Sequence, residues 1–326
     1  MADRESPRYV ILFATAVCVA CAFVVSVAAV LLQPAQKANA RLYMEKNVLL
    51  AAALVKPSDK VGAKEVEAFF AKDVKARLVD LSTGELVPED KRDARAYDQR
   101  AARADPAASR AAPANNAGIG RLPNLGIAYF VMKDGAVDQV VIAIEGLGMW
   151  GTVYGFLSLD RDGRTILGLT YYDQKETPGL GGEIANPQWQ ALWIGRHAYD
   201  GEGLPRIAVI KGQAGPPDKD PLRVDGMSGA TITSNAITRL TQFWLSDAGY
   251  GRFLKRLKGA DAVKSADPLK GTHTFKSPEG DGHSSPANQV AENIHESGTL
   301  AGHWSGKVSV PFTPGEGARP LQGGVA

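Results

Sequence analysis

The chain has 326 residues, 44% of them hydrophobic, enough to bury one or two sizeable cores, which excludes a mini-protein. Its 37 basic residues against 35 acidic ones give a formal charge of +2, and no basic stripe interleaved with aromatics appears, so nucleic acid is excluded as a partner. Both cysteines, Cys18 and Cys21, fall in one apolar run, leaving the rest of the chain without a disulfide, a thiolate metal site or a cysteine nucleophile.

That run, Val10 to Leu32, is interrupted only by the hydroxyls of Thr15 and Ser26. About 23 residues at ~1.5 Å each span a hydrocarbon core of ~30 Å, so residues 10–32 read as a transmembrane helix after a short N-terminal segment, 1–9. Ala38-Asn39-Ala40 mimics a signal-peptide cleavage site, but the run is longer than the ~7–15 residues of a signal core, and an anchor is expected. Arg4 and Arg8 precede the span while Lys37, Arg41 and Lys46 follow it, which leaves its sidedness open. Residues 33–57 continue the helical rhythm as a stalk that Lys56-Pro57 ends.

A compact domain is expected over 58–258. Val66, Phe69, Phe70 and Val74 predict a helix within Glu65–Val79, followed by turn chemistry at Asp80–Gly84. The Ala-, Arg-, Asp- and Pro-rich stretch within 91–118 lacks an apolar period and reads as a solvated loop insertion. Ile127–Met132, Val140–Glu145, Thr152–Leu159 and Thr165–Tyr172 are β-branched and aromatic runs, with Asp134-Gly135 and Asp162-Gly163 as turn signals, so an antiparallel sheet is predicted. Asn186-Pro187 opens a helix carrying Trp189 and Trp193, Ile207–Ile210 returns as a strand, and two helices close the domain, the first over Asn235–Trp244. The fold class is therefore α+β: one N-terminal transmembrane helix, then an antiparallel-sheet domain with flanking helices. Residues 259–326 shift to Gly, Pro, Ser, Lys and His and read as a low-complexity, mostly disordered tail.

Gly146-x-Gly148-x-x-Gly151 matches a dinucleotide fingerprint, but the strand Thr152–Leu157 follows it where a helix is required. Gly226-x-Ser228-x-Ala230 lacks the closing glycine of a nucleophile elbow, and His197 has no evident orienting carboxylate, so a serine hydrolase is a weak alternative. The tail histidines, His273, His283, His295 and His303, have no metal-ligand spacing. Two segments remain: Glu176-Thr177-Pro178-Gly179-Leu180-Gly181-Gly182 and Asp225–Asn235. Their small residues allow close backbone approach, and a hydroxyl-rich helix entry beside Thr231 would seat a phosphate. An ordinary N-cap cluster explains the second segment equally well.

Ser228-Gly229-Ala230-Thr231 resembles the flavin-accepting motif of the C subunit of the sodium-translocating NADH:quinone reductase. The likeness extends through Lys46-Asn47, Asp80–Glu85, Trp150–Phe156, Tyr171–Glu183 and Asn186-Pro187-x-Trp189-x-x-x-Trp193, whereas residues 100–117 and the tail depart from it. The G subunit of the related Rnf complex shares fewer of these pieces and is the runner-up; a membrane-tethered sensory FMN module is the alternative of a different class. The resemblance implies FMN carried covalently on Thr231, with Ser228, Gly229 and Ala230 at its phosphate, Glu176, Thr177 and Leu180 lining the ring and Lys211 near it. It further implies a flavin transferase using FAD and Mg²⁺, membrane partner subunits, and a bacterial inner-membrane location with the flavin domain outside the cytoplasm. Thr231 is then an attachment point with no catalytic role, and the chain alone is expected to catalyse nothing.

Overall fold

The computed structural model describes residues 6–262 of the chain. Helix α1 (Pro7–Ala51) is a single element of 45 residues that contains the whole apolar run and is long and apolar enough to cross a membrane. Its first 35 or so residues are exposed, as Leu12 and Phe23 illustrate, and burial begins only at Glu45. There α1 joins the domain: Arg41 and Arg95 lie 3.1 and 3.0 Å from the Glu45 carboxylate, and Arg95 continues to Glu67 at 2.9 Å.

The chain continues through α2 (Ala63–Lys72), β1 (Val74–Asp80), α3 (Gln99–Ala104), β2 (Ser109–Ala111) and β3 (Arg121–Pro123). Four long strands follow, β4 (Leu125–Lys133), β5 (Ala136–Leu147), β6 (Thr152–Asp160) and β7 (Ile166–Asp173), then α4 (Pro187–Ala191), the short β8 (Ala208–Val209) and β9 (Arg223–Val224), α5 (Thr231–Leu245) and α6 (Gly251–Ala262). The main sheet has the order β1-β4-β5-β6-β7, every neighbouring pair antiparallel. Asp134 and Gly135, both at positive φ (51° and 79°), close the β4–β5 hairpin as the sequence predicts.

Both faces of the sheet are covered. Ala128, Phe130, Val140, Ile142 and Leu157 pack with α5 and α6, while Ile127, Tyr129, Val131, Val141 and Phe156 pack with α1 and α2. This two-sided burial explains why the strands read as nearly continuous apolar runs. The α1 side is a close fit: Thr170 Oγ1 donates to the Asn47 carbonyl (3.2 Å), Gln139 Nε2 donates to the Ala52 carbonyl (3.0 Å), and a Cβ on Gly168 would collide with the Ala51 oxygen.

Two expectations change. The helical reading of Glu65–Val79 is half right, since α2 stops at Lys72 and Val74–Asp80 forms an edge strand paired with Leu125–Val131. The segment 91–118 is not a solvated loop. Asp98 caps α3, Gln99 Oε1 accepts the Ile127 N–H (2.8 Å), and the Tyr97 hydroxyl donates to the Leu125 carbonyl (2.7 Å), so long-range bonds order a stretch with little local signal. Of the tail expected over 259–326, residues 259–262 are the last of α6, and the rest lies outside the described residues.

This segment also brings Arg103 within 3.2 Å of Glu145, a buried residue of β5. Burial pushes the Glu145 carboxyl above its ordinary 4.5, with Arg103 and Arg100 opposing only in part. The folded state therefore binds this proton more tightly than the unfolded chain, and stability from this group falls as pH rises from 4.5 through the raised value. Glu145→Gln is expected to raise the melting temperature at pH 7, the gain fading as pH drops toward 4.5. A lower melting temperature at pH 7 would show that the Arg103 pairing outweighs desolvation.

Candidate functional site

The two glycine-rich segments meet beyond the ends of β5, β6 and β7, and a carboxylate joins them. Glu176 turns inward after β7; its Oε1 accepts the N–H groups of Met149 (2.9 Å) and Trp150 (3.0 Å), and its Oε2 accepts the Thr233 hydroxyl. Gln174 Oε1 accepts the Glu176 N–H at 2.5 Å and fixes the approach. One side chain thus ties the 148–151 turn, the loop after β7 and the first turn of α5.

Glycines make this geometry possible. A Cβ on Gly148 would lie 2.6 Å from Glu176 Oε1, and one on Gly181 would lie 2.5 Å from Thr233 Oγ1. Gly146 clears Leu240 of α5, whose Cβ would be 2.5 Å away. The apparent dinucleotide fingerprint is therefore a packing pattern, and β6 directly after it confirms that no phosphate-binding helix follows.

Helix α5 starts at Thr231, four residues earlier than the apolar spacing predicts. Its N-cap is Ala230, which has no capping side chain, so the first-turn N–H groups are uncapped and the positive end of the helix is open. Thr231 and Ser228 are exposed beside it, Ala230 is buried, and Gly229 sits at φ +71°. The Thr233 hydroxyl, two residues on, is buried against Glu176.

The remaining sequence-predicted residues distribute unevenly. Leu180 is exposed and lies against the helix entry, its Cδ2 2.9 Å from where a Gly229 Cβ would stand. Thr177 exposes its side chain while its carbonyl accepts the N–H groups of Leu180 (3.1 Å) and Gly182 (2.9 Å). Lys211 is exposed next to Gly212, whose carbonyl accepts the Gly226 N–H at 2.8 Å, so its loop borders the Asp225–Thr231 segment. Glu176 is the exception, because both carboxylate oxygens are engaged inside the protein.

Sequence reasoning missed an apolar rim. Leu147, Met149 and Trp150 are exposed at the 148–151 turn, Trp150 by 63%, and Ile232 is exposed on α5. The available signal was a tryptophan and a methionine in a glycine-rich turn, where polar residues are the rule. The serine-hydrolase alternative has no support: His197 bridges Thr165 at the start of β7, whereas Ser228 lies in the segment beyond the other end of that strand, which at ~3.3 Å per residue is roughly 26 Å long.

An antiparallel sheet opening at one end onto an uncapped helix start, small residues and an apolar rim is the build of a phosphate-bearing aromatic cofactor domain. Residues 148–246, which span this junction, match the FMN-binding domain family. The C subunit of the Na⁺-translocating NADH-quinone reductase from Yersinia pestis is 41% identical over 259 residues, covering 78% of this chain and 95% of that protein. Its counterpart from Pseudomonas aeruginosa is 39% identical over 265 residues, 80% of this chain and 100% of that one. The crystal structure of NqrC from Shewanella oneidensis superimposes with a TM-score of 0.62 at 31% identity, covering 68% of this chain and 99% of that one. The chain belongs to the NqrC family, the C subunits of Na⁺-translocating NADH-quinone reductases, and is thus an oxidoreductase component.

Proposed function

We propose that this chain is the covalent-FMN electron-transfer subunit of a Na⁺-translocating NADH-quinone reductase, anchored in the bacterial inner membrane by α1 with its domain on the extracytoplasmic side. The observation that carries the attachment is the contrast between two threonines on α5: Thr231 is exposed at the uncapped helix start, and Thr233 is buried on Glu176. The positive end of α5 and the backbone of Ser228, Gly229 and Ala230 would hold the phosphate of an FMN joined to Thr231. The exposed apolar side chains of Met149, Trp150 and Leu180 would line its ring, with Thr177 and Lys211 at the border.

In attachment, a flavin transferase with Mg²⁺ presents FAD. The Thr231 oxygen bonds to the FMN phosphorus, the pyrophosphate bond breaks, AMP leaves, and the hydroxyl proton passes to a base. Bound FMN would supply the electron chemistry, between NADH and quinone in a sodium-exporting complex. The chain positions the ring, shields one side of it with apolar residues and sets its electrostatics. A covalent tether also prevents loss of the cofactor where no cytoplasmic pool can replace it.

Protein solubilised from its native membrane with detergent tests the reading as a whole. The expected result is an intact mass that retains residues 10–32 and exceeds the polypeptide by one FMN minus water, in a complex with other membrane subunits and NADH-quinone reductase activity. A lone chain carrying FMN without such partners would instead favour a tethered flavin sensor.

A further inference from the structure

Both carboxylate oxygens of Glu176, a residue that the resemblance places in the ring's lining, are engaged by the protein itself. Its three donors, the N–H groups of Met149 and Trp150 and the Thr233 hydroxyl, are all on the protein, and its side chain is buried. It nonetheless sits at the junction of the elements that carry the apolar rim, Met149 and Trp150 on one side and α5 on the other. Three donors converge on its two oxygens, an arrangement suited to a carboxylate anion. Glu176 itself is buried, so its negative charge is shielded from water and acts over several ångströms on a ring seated at the adjoining rim.

We infer that Glu176 is a positioning residue whose fixed buried charge holds down the reduction potential of the bound flavin. This rests on the reading that FMN occupies the junction. Each electron that the ring accepts adds negative charge until a proton follows, and a carboxylate held nearby opposes that gain. The same side chain locks the Trp150 turn to α5, so the charge keeps a constant place relative to the tether.

Glu176→Gln tests this, because glutamine can keep Oε1 toward the Met149 and Trp150 N–H groups and donate from its amide to the Thr233 oxygen. With flavin content fixed by intact mass, spectroelectrochemical titration of the detergent-solubilised holoprotein should show the oxidised-to-reduced equilibrium displaced at least tenfold toward the reduced form. For a two-electron couple that is a rise of about 30 mV. Glu176→Asp keeps the charge and should stay nearer the parent. Thr233→Ala removes one donor but not the charge, so its potential should hold or fall. A fully flavinylated Glu176→Gln protein with the parental potential overturns the inference. If the Gln variant does not hold flavin, a rise in either the Asp or the Ala variant overturns it instead, because packing would then be governing the potential. A parent protein without the added FMN mass removes the site reading itself and this inference with it, a failure seen before any titration.

Discussion

Made in a host that contains a flavin transferase, Thr231→Ala protein is expected to show the bare polypeptide mass and no ultraviolet fluorescence on a denaturing gel. The parent should carry one FMN minus water. The loss should be complete, because the structure offers no substitute at the same place. Gly229 and Ala230 have no nucleophilic atom, and the Thr233 hydroxyl faces inward to Glu176. Ser228 and Thr177 are exposed, but neither stands on the first helical residue, where the uncapped N–H groups and the helix dipole would draw a phosphate. Ser228→Ala should therefore weaken the signal without removing it. Intact mass settles the matter, and retention of the added mass in the Thr231→Ala protein would place the attachment elsewhere.

The parts of the fold that were legible in the sequence are those with a local cause. The Asp134-Gly135 hairpin needs two residues that tolerate positive φ, and it has them. Asn186 caps α4 by accepting the Gln188 N–H at 2.9 Å, with Pro187 at the first helical position. The parts that were not legible depend on distant partners. β1 hides behind a helical spacing that runs from Val66 to Val74, and only its pairing with β4 makes it a strand. Segment 91–118 looks solvated because its order comes from Gln99 and Tyr97 reaching β4, and from Arg95 reaching α1 and α2.

The candidate site divides in the same way. Ser228-Gly229-Ala230-Thr231 was recognisable as a motif, but the start of α5 was not, because Ala230 leaves no capping residue to announce it. A hydroxyl-rich stretch gives no sign of which hydroxyl faces out. That is decided by Glu176, 57 positions away from Thr233 in the chain. Likewise the glycines at 146, 148 and 181 suggest a ligand cradle, yet in the structure each one clears a side chain of the protein itself.

Gly226→Ala is expected to damage both the fold and the modification, although position 226 carries no side chain that could touch a cofactor. A Cβ there would collide with the Ile210 carbonyl oxygen and stand 3.4 Å from the Gly212 nitrogen, against backbone and not a mobile side-chain end. Relief requires the Ile210–Gly212 strand end to move away, which breaks the Gly226 N–H bond to the Gly212 carbonyl (2.8 Å) and strains the Ile210 N–H bond to Val224 (2.9 Å). Overpacking of this kind costs about 1–3 kcal/mol, and each kcal/mol lowers the melting temperature of a domain this size by roughly 2–4 °C. The displaced loop leads directly into Ser228 and Thr231, and Asp225 beside it is held by the Ala214 N–H (2.9 Å) and holds the Trp189 indole N–H through its carbonyl (3.1 Å). The flavin content should therefore fall well below that of the parent even at temperatures where the variant is folded. Circular dichroism melts together with intact mass on the same sample separate the two effects. A melting temperature and flavin load equal to the parent's would mean that this backbone contact is looser than the structure places it.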